Sequence, residues 1–315
     1  MSMTLLDQAR GMKDQVMAGI VLQFAREGMV FQKLGFMSVD ALTLKTWQLE
    51  SVTDAVYRTI GNTYSETKDT FTEKFEGIYL LGGKIDIDRA LRLPGQKEID
   101  AYAENLLLQS KRFMYGFMDT FVNGDRSVNP DRFDGIKVRV TAVGGNQVVT
   151  AATNGLDVSA SAANQHTFLD KVNQCIFDTG MDSKPDFIVT SRQGYLTLQS
   201  VARRLGLLDI TKDAFDRQIF AYSGIPILDV GTKGDQSTQI ITNTETVGTS
   251  SATTSFYFIR LGKQYLTGIQ MHEPRRIFDD ITDDGVTHRV VFEWPVGLAT
   301  FHNKSIVHLK GVIPI

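Results

Sequence analysis

The longest regular pattern in the sequence covers residues 96–122. Apolar side chains recur there three, four or seven residues apart, which places them on one face of an α-helix. These side chains belong to Ile99, Tyr102, Leu106, Phe113, Phe117 and Phe121. Asn123 and Gly124 follow as a helix stop. At 1.5 Å per residue this helix would be about 40 Å long, roughly twice the usual globular length, so we expect it to span an extended subunit.

The segments that precede this helix have different periods. Over residues 36–75, polar residues alternate with Thr, Val and Tyr in short stretches, as in strands that have one face in water. We predict a long arm or hairpin there, whose partner lies on another chain. Residues 4–27 have the helical period, although Gly11 and Gly19 weaken it. Such a helix either closes over its own core or docks on a neighbouring subunit.

The second half of the chain mixes helical and strand periods, so the predicted fold class is α+β. Residues 133–153 carry several valines around Gly144 and Gly145, which predicts a strand hairpin. A compact α+β unit follows. Its predicted elements are a helix over 167–177, a buried strand over 186–190 and a helix over 194–205. The polar run over 236–255 predicts an exposed loop or a surface strand pair, and the last 60 residues are rich in strands.

Composition limits the functions open to the chain. Its 315 residues are 42% hydrophobic and 22% charged, enough for one large domain or two interlocked domains. The net charge of -3 lacks the excess of Lys and Arg that a sequence-reading nucleic-acid protein needs, so contact with DNA should be weak and local. Charged residues interrupt each early apolar run before it reaches signal-peptide or membrane-spanning length. We therefore expect no export and no membrane partner.

No arrangement of reactive side chains predicts catalysis. The five histidines lack the spacing of a zinc site. The carboxylates around Asp125 and Asp283 lie beside Gly or Pro, where Asp supports a turn more often than it binds calcium. The single cysteine, Cys175, lies in an apolar run and is predicted to be a core residue. Phosphate-binding loops, dinucleotide fingerprints and nucleophile elbows are not found, so we predict no enzyme activity, cofactor, metal or catalytic residue.

Four stretches of sequence occur in an order known from one family of proteins. They are YLLGGKIDIDRAL at 79–91, FVNGD at 121–125 with FDGI at 133–136, YSGIPI at 222–227, and EWPVGLA at 293–299. Together with an N-terminal arm, an extended segment and one long helix, they resemble the Hong Kong 97 type major capsid protein of tailed bacteriophages. In that family the stretches end the extended loop, leave the spine helix, and belong to the axial domain and the last peripheral strands.

The resemblance implies a division of the chain into five regions. These are an N-terminal arm (1–60), an extended loop that is a β-hairpin (61–94), the spine helix with the first part of the peripheral domain (95–156), the axial domain (157–254) and the peripheral strands (255–315). It implies assembly as pentamers and hexamers into an icosahedral or prolate shell around double-stranded DNA. The place of action would be the virion capsid, assembled in the bacterial host cytoplasm. The alternative is the shell of an encapsulin-like nanocompartment, and an unrelated soluble enzyme is less favoured.

The family also implies which residues meet other molecules. Its extended loop lies across a neighbouring subunit. The implied inter-subunit contacts are Phe71, Phe75, Ile78, Tyr79 and Leu80. Lys111 and Arg112 on the long helix would face packaged DNA without sequence specificity, unless they form an ordinary solvated helix face.

Further implied partners are a portal protein, a decoration protein and a separate scaffolding protein. The scaffolding protein is expected to be separate because the arm reaches the extended loop too soon for a built-in scaffolding segment, and Met1 argues against its removal. Some relatives join a loop Lys covalently to a peripheral Asn. Lys84 and Asn303 are the nearest counterparts, although the surrounding motif is not recognisable.

Overall fold

The computed structural model describes residues 3–12, 15–51, 53–88, 101–179, 184–207 and 209–315. The helices in these ranges are α1 (Leu5–Gly11), α2 (Gln15–Glu27), α3 (Met29–Lys33), α4 (Ala101–Asn123), α5 (Ile136–Val143), α6 (Ala162–Asp178) and α7 (Arg192–Arg204). The first nine strands are β1 (Met3–Thr4), β2 (Gly35–Ser38), β3 (Thr43–Ser51), β4 (Thr70–Gly77), β5 (Tyr79–Asp88), β6 (Val148–Thr150), β7 (Leu156–Asp157), β8 (Phe187–Thr190) and β9 (Asp209–Lys212). The remaining strands are β10 (Gln218–Tyr222), β11 (Ile225–Asp229), β12 (Glu245–Val247), β13 (Ser250–Ile259), β14 (Leu266–Gln270), β15 (Arg275–Ile281), β16 (Thr287–Thr300) and β17 (Ile306–Ile313).

The predicted long helix is confirmed as α4, which has 23 described residues. Its predicted start at residue 96 lies outside the described residues. Phe113, Phe117 and Phe121 of the predicted apolar stripe are buried, and Phe117 and Phe121 are fully inaccessible. The Phe117 ring stacks on Trp294 of β16, with 5.4 Å between the ring centroids. The helix thus forms the centre of the main core, between the N-terminal helices and the peripheral sheet.

Two glycines make the exit from α4 possible. The Gly124 N–H donates to the Thr120 carbonyl, and the Gly135 N–H donates to the Gly124 carbonyl at 2.8 Å. A Cβ atom at Gly124 would lie 2.2 Å from the Phe133 carbonyl oxygen, and one at Gly135 would lie 2.6 Å from the Thr120 carbonyl oxygen. Because no side chain fits either position, the glycines of the FVNGD and FDGI stretches serve close backbone approach.

The strands in the described ranges form two large sheets and one two-stranded sheet, which consists of β3 and β4. The peripheral sheet has the order β1-β2-β14-β16-β15, and β5 also pairs with the long strand β16. The second sheet has the order β6-β17-β13-β8-β11-β10-β9, with β12 on β13 and β7 on β17. Its core includes residues of α6 and α7. The predicted helix 167–177 lies within α6, and the predicted strand 186–190 and helix 194–205 match β8 and α7 to within two residues at each end.

Cys175 is buried in this second core, as predicted. Burial raises the pKa of its thiol to about 12, so the thiolate form is strongly disfavoured. The side chain therefore acts as a small hydrophobic residue.

Two sequence predictions are wrong. Residues 136–143 form helix α5 rather than a strand. Ile136 and Val140 lie four residues apart and are both buried in the main core, so tertiary packing overrides the strand preference of the valines. The N-terminal helix is not continuous, because α1 ends at Gly11 and α2 begins at Gln15.

The polar run over 236–255 contains the predicted strand pair, formed by β12 and β13. The C-terminal end of this polar run does not lie at the surface. Thr254 and Ser255 are fully buried between β8 and β17. Their hydroxyls have polar partners there, Ser191 for Thr254 and His308 for Ser255.

Candidate subunit interface

Strands β3 and β4 form an extended antiparallel hairpin, which we call the hairpin together with residues 53–69 between them. Its two faces are inverted relative to an ordinary surface strand pair. Thr46 and Gln48 of β3 point inward and are 1% exposed, whereas Trp47 between them is 55% exposed. The apolar face therefore looks outward and the polar face looks inward. This arrangement leaves aromatic surface available to another chain.

The outward face continues across β4. Phe71 and Phe75 are 53% and 60% exposed. Phe75 lies opposite Lys45, and Glu73 lies opposite Trp47. The Lys45 ammonium pairs with Glu73 at 2.9 Å and lies 4.8 Å from the centre of the Trp47 ring. An apolar strip with a charged pair at its centre is thus displayed on one side of the hairpin.

The segment that joins the two strands is also exposed. Thr53 closes it, because its N–H donates to the Asp69 carboxylate at 2.9 Å and its hydroxyl donates to the Lys68 carbonyl at 2.7 Å. Tyr57 and Ile60 within it are 100% exposed. Large apolar side chains with no cover in their own chain are typical of a binding surface.

The base of the hairpin is held firmly to the body. The Arg139 guanidinium of α5 donates to both carboxylate oxygens of Glu76, at 2.6 Å and 2.8 Å. Arg139 also donates to the Leu298 carbonyl and the Thr300 hydroxyl of β16. Beside this ion pair, Ile78 is buried against Ile269. The base of the hairpin is thus bound to both α5 and β16.

The five residues proposed from the resemblance do not have the same environment. Phe71, Phe75 and Leu80 are exposed, Leu80 to 63%. Tyr79 is half-buried and packs against the main core. Ile78 is only 7% exposed and belongs to the core of its own chain, so its predicted contact with a neighbour is corrected to an internal one.

Sequence reasoning missed Trp47, Tyr57 and Ile60. Trp47 lies in the same alternating stretch as its buried neighbours, and the alternation does not say which face is covered. Tyr57 and Ile60 carry no periodic signal, since residues 53–69 form no strand or helix.

Lys111 and Arg112 lie on α4 at an open groove that Tyr115 and Lys233 also line. Arg112 is exposed and Lys111 is half-buried. Lys233 already pairs with Asp119 at 3.2 Å. Neither Lys111 nor Arg112 has an ion-pair partner within the described ranges, so both charges are available to an anion.

The described residues hold no group of three or more His, Cys, Asp or Glu side chains that could bind a metal ion. The carboxylates near turns have the predicted structural role. Asp284 accepts from the backbone N–H groups of Val286 and Thr287, both at 3.0 Å. Asp125 accepts from Ser127 N–H at 2.8 Å. None of the helices in the described ranges combines the length and apolar character needed to cross a membrane.

No protein-family model matches the chain, and no curated protein matches its sequence. Solved structures match it over most of its length. A chain of the holo-SrpI encapsulin complex from Synechococcus elongatus PCC 7942 is 12% identical, with a TM-score of 0.63 and coverage of 90% of this chain and 87% of that chain.

Two further solved structures give similar results. A capsid chain of the native GTA particle is 13% identical, with a TM-score of 0.60 and coverage of 92% of this chain and 90% of that chain. A chain of Mycobacterium phage Bobi is 10% identical, with a TM-score of 0.58 and coverage of 90% and 89%. At these identities the likeness concerns the fold. The chain has the α+β fold of Hong Kong 97 type capsid proteins, as the order of its elements predicted.

Proposed function

We propose that this chain is the major capsid protein of a tailed bacteriophage, which assembles with copies of itself as pentamers and hexamers into a closed shell around double-stranded DNA. The observation that carries the proposal is the inverted hairpin. In this chain Trp47, Phe71 and Phe75 are exposed on the outer face of the hairpin, whereas polar side chains of β3 that alternate with Trp47 are buried. An exposed apolar surface of this kind is typical of a contact with another protein chain.

The energetics support a partner for the hairpin. The inner face of the hairpin is covered by its own chain, whereas the outer face is not. A two-stranded hairpin gains stability when further packing covers its apolar face. Covering each outward aromatic side chain on a neighbour would contribute about 1–3 kcal/mol. The buried pair of Arg139 and Glu76 holds the hairpin base in one orientation before assembly, which lowers the entropy lost on association.

The proposed regions follow the resemblance with one adjustment. The hairpin spans residues 43–77, so we take it as the extended loop in place of the range 61–94. Strand β5 then belongs with the peripheral strands, because it pairs with β16 along its length. The N-terminal arm then ends at residue 42 instead of residue 60, and the spine helix and axial domain keep their proposed places. A scaffolding protein, a portal protein and a decoration protein remain the proposed partners.

An encapsulin-like nanocompartment shell is the second candidate. The likeness to the encapsulin chain, with its TM-score of 0.63, favours it. The two candidates differ in content, because a phage shell encloses DNA and a nanocompartment encloses enzymes. Terminase and portal genes beside this gene would support the phage, and a gene for a cargo enzyme would support the compartment.

Electron microscopy and light scattering of the purified chain test the proposal. We expect closed shells, or pentamers and hexamers, in a concentration-dependent equilibrium. Nuclease-resistant DNA inside shells isolated from cells would favour the phage, whereas a co-purifying enzyme would favour the compartment. A species that stays monomeric and thermostable over a wide concentration range would contradict both.

A further inference from the structure

Strand β15 forms one border of the peripheral sheet. One edge of β15 pairs with β16, and no other strand in the described ranges pairs with its second edge. Six of its seven residues are exposed, including Ile277 at 50% and Phe278 at 41%. An open, partly apolar strand edge is a template for pairing with another chain.

A β-bulge divides the strand at Ile277. Along β16, Arg276 lies opposite Phe292 and Phe278 lies opposite Val291, so that Ile277 is the extra residue. Val290, Phe292 and Trp294 of β16 point into the core. The β15 residues that pair with Val290 and Phe292 lie on the same inner face. The β15 residues that pair with the β16 residues alternating with these lie on the outer face. The outer face of β15 therefore carries Arg275, Phe278 and Asp280, which lie opposite Glu293, Val291 and Arg289.

The charges of β15 are arranged symmetrically about Phe278. With Ile277 left out by the bulge, Arg275 lies two positions before Phe278 and Asp280 lies two positions after it. The inner face repeats the pattern, with Arg276 one position before and Asp279 one position after. In an antiparallel pair of two such strands, centred on Phe278, every arginine would lie opposite an aspartate of the other copy.

The charged residues on the outer face of β15 are available to pair with another chain. On the inner face, Asp279 already contacts Arg276 and His288. Arg289, which lies opposite Asp280, donates instead to both carboxylate oxygens of Asp86, at 2.7 Å and 2.9 Å. Within the described part of the chain, neither Arg275 nor Asp280 has an ion-pair partner.

We propose that β15 is a contact between two copies of this chain, which pair antiparallel through their open edges with Phe278 facing its own counterpart. The inference rests on the proposed function, because it names one of the contacts that would join subunits in the shell. Arg275 of each copy faces Asp280 of the other, and the exposed Phe278 side chains cover each other. The contact suits a second copy, since an antiparallel copy of the same strand supplies the complementary charge at both positions.

Charge reversal gives a sharp test. In Arg275→Asp, two aspartates would face each other at both ends of the contact, and in Asp280→Arg two arginines would do so. We expect each variant to self-associate about tenfold more weakly in sedimentation velocity. The double variant Arg275→Asp/Asp280→Arg restores complementary charges and should recover. An equimolar mixture of the two single variants should also recover, because each pairs with the other. Lys263→Asp, at an exposed turn, is the control for the charge change.

A cross-link tests the register independently of strength. Cysteines that face each other in an antiparallel pair lie within disulfide distance. Phe278→Cys should give a disulfide-linked dimer under mild oxidation, whereas Ile210→Cys, on the open edge strand β9 of the other sheet, should not. The native Cys175 is buried and does not interfere.

The outcomes separate this inference from the proposed function. Normal shells from both single charge variants, without a Phe278→Cys dimer, would overturn the β15 contact and leave the shell function intact. A failure of the mixture to recover would overturn the antiparallel register. A third outcome is that neither the native chain nor any variant forms shells, but Phe278→Cys still forms a dimer. The proposed shell function would then fail and the β15 contact would stand.

Discussion

Arg139 and Glu76 lie 63 residues apart and form a two-pronged ion pair at the base of the hairpin. Their side chains are 11% and 10% exposed. Because Arg139 also bonds the Leu298 carbonyl and the Thr300 hydroxyl, one guanidinium joins α5, β4 and β16. This pair therefore couples the hairpin to the body.

Glu76→Gln should destabilise the subunit by about 3–5 kcal/mol, because it leaves the buried Arg139 charge without its counter-charge. Glu76→Leu/Arg139→Met should cost less than the single change, since it removes both charges and keeps apolar volume. Urea unfolding of the unassembled subunit measures both. A double variant that loses as much stability as the single variants Glu76→Leu and Arg139→Met lose together would show that the two side chains act independently.

Phe75→Ala and Ile78→Ala should behave in opposite ways, although the residues are close in sequence. Phe75 is 60% exposed, so its removal should leave the melting temperature of the subunit unchanged and reduce shell assembly. Ile78 is 7% exposed and packs on Ile269, so its removal should cost about 2–5 kcal/mol of stability. Calorimetry measures the melting temperature of each variant, and light scattering measures its assembly into shells. A Phe75→Ala subunit that unfolds early would assign that ring to the subunit's own core.

His308 should make the subunit sensitive to acid. Burial lowers the pKa of His308 to about 4 from an ordinary 6.5, while its ring stacks on Tyr257 and its Nε2 bonds the Ser255 hydroxyl. The folded state therefore binds fewer protons than the unfolded state between these pH values. The free energy of unfolding should fall as the pH drops from 6.5 to 4, by up to about 3 kcal/mol, and this contribution should be constant above 7.

Urea unfolding between pH 4 and 8 checks this dependence on His308. His308→Gln should give a flatter profile over the window, whatever its stability at neutral pH. His166→Gln, on the exposed side of α6, is the control for the substitution. A His308→Gln profile that falls as steeply as the native one would assign the acid sensitivity to other groups.

Binding of DNA by the free subunit should be weak, salt-sensitive and indifferent to sequence. Lys111→Glu/Arg112→Glu should weaken it further and reduce the slope of log affinity against log salt by about 2. Filter binding at several salt concentrations measures this slope. An unchanged slope would mean that these two residues form only a solvated helix face.

Sequence patterns correctly predicted the helices and strands whose conformation depends mainly on residues close in the sequence. The period of three or four residues in α4 follows from its own side chains, and the apolar run of β8 shows that this strand is buried on both faces. The order of such elements was enough to indicate the fold. The helical state of α5 could not be predicted, since its valines favour a strand and only the burial of Ile136 and Val140 against distant residues reverses that preference.

By itself, the sequence determined the type and order of most elements, the alternation of side chains in the hairpin and the charges of β15. Only the tertiary structure decided which face of the hairpin is covered, that Ile78 is internal while Phe75 is not, and that the bulge at Ile277 centres the charges on Phe278. The physical reason is that a two-residue alternation defines two faces without assigning either to the core. That assignment depends on contacts between residues far apart in the chain, such as Arg139 with Glu76.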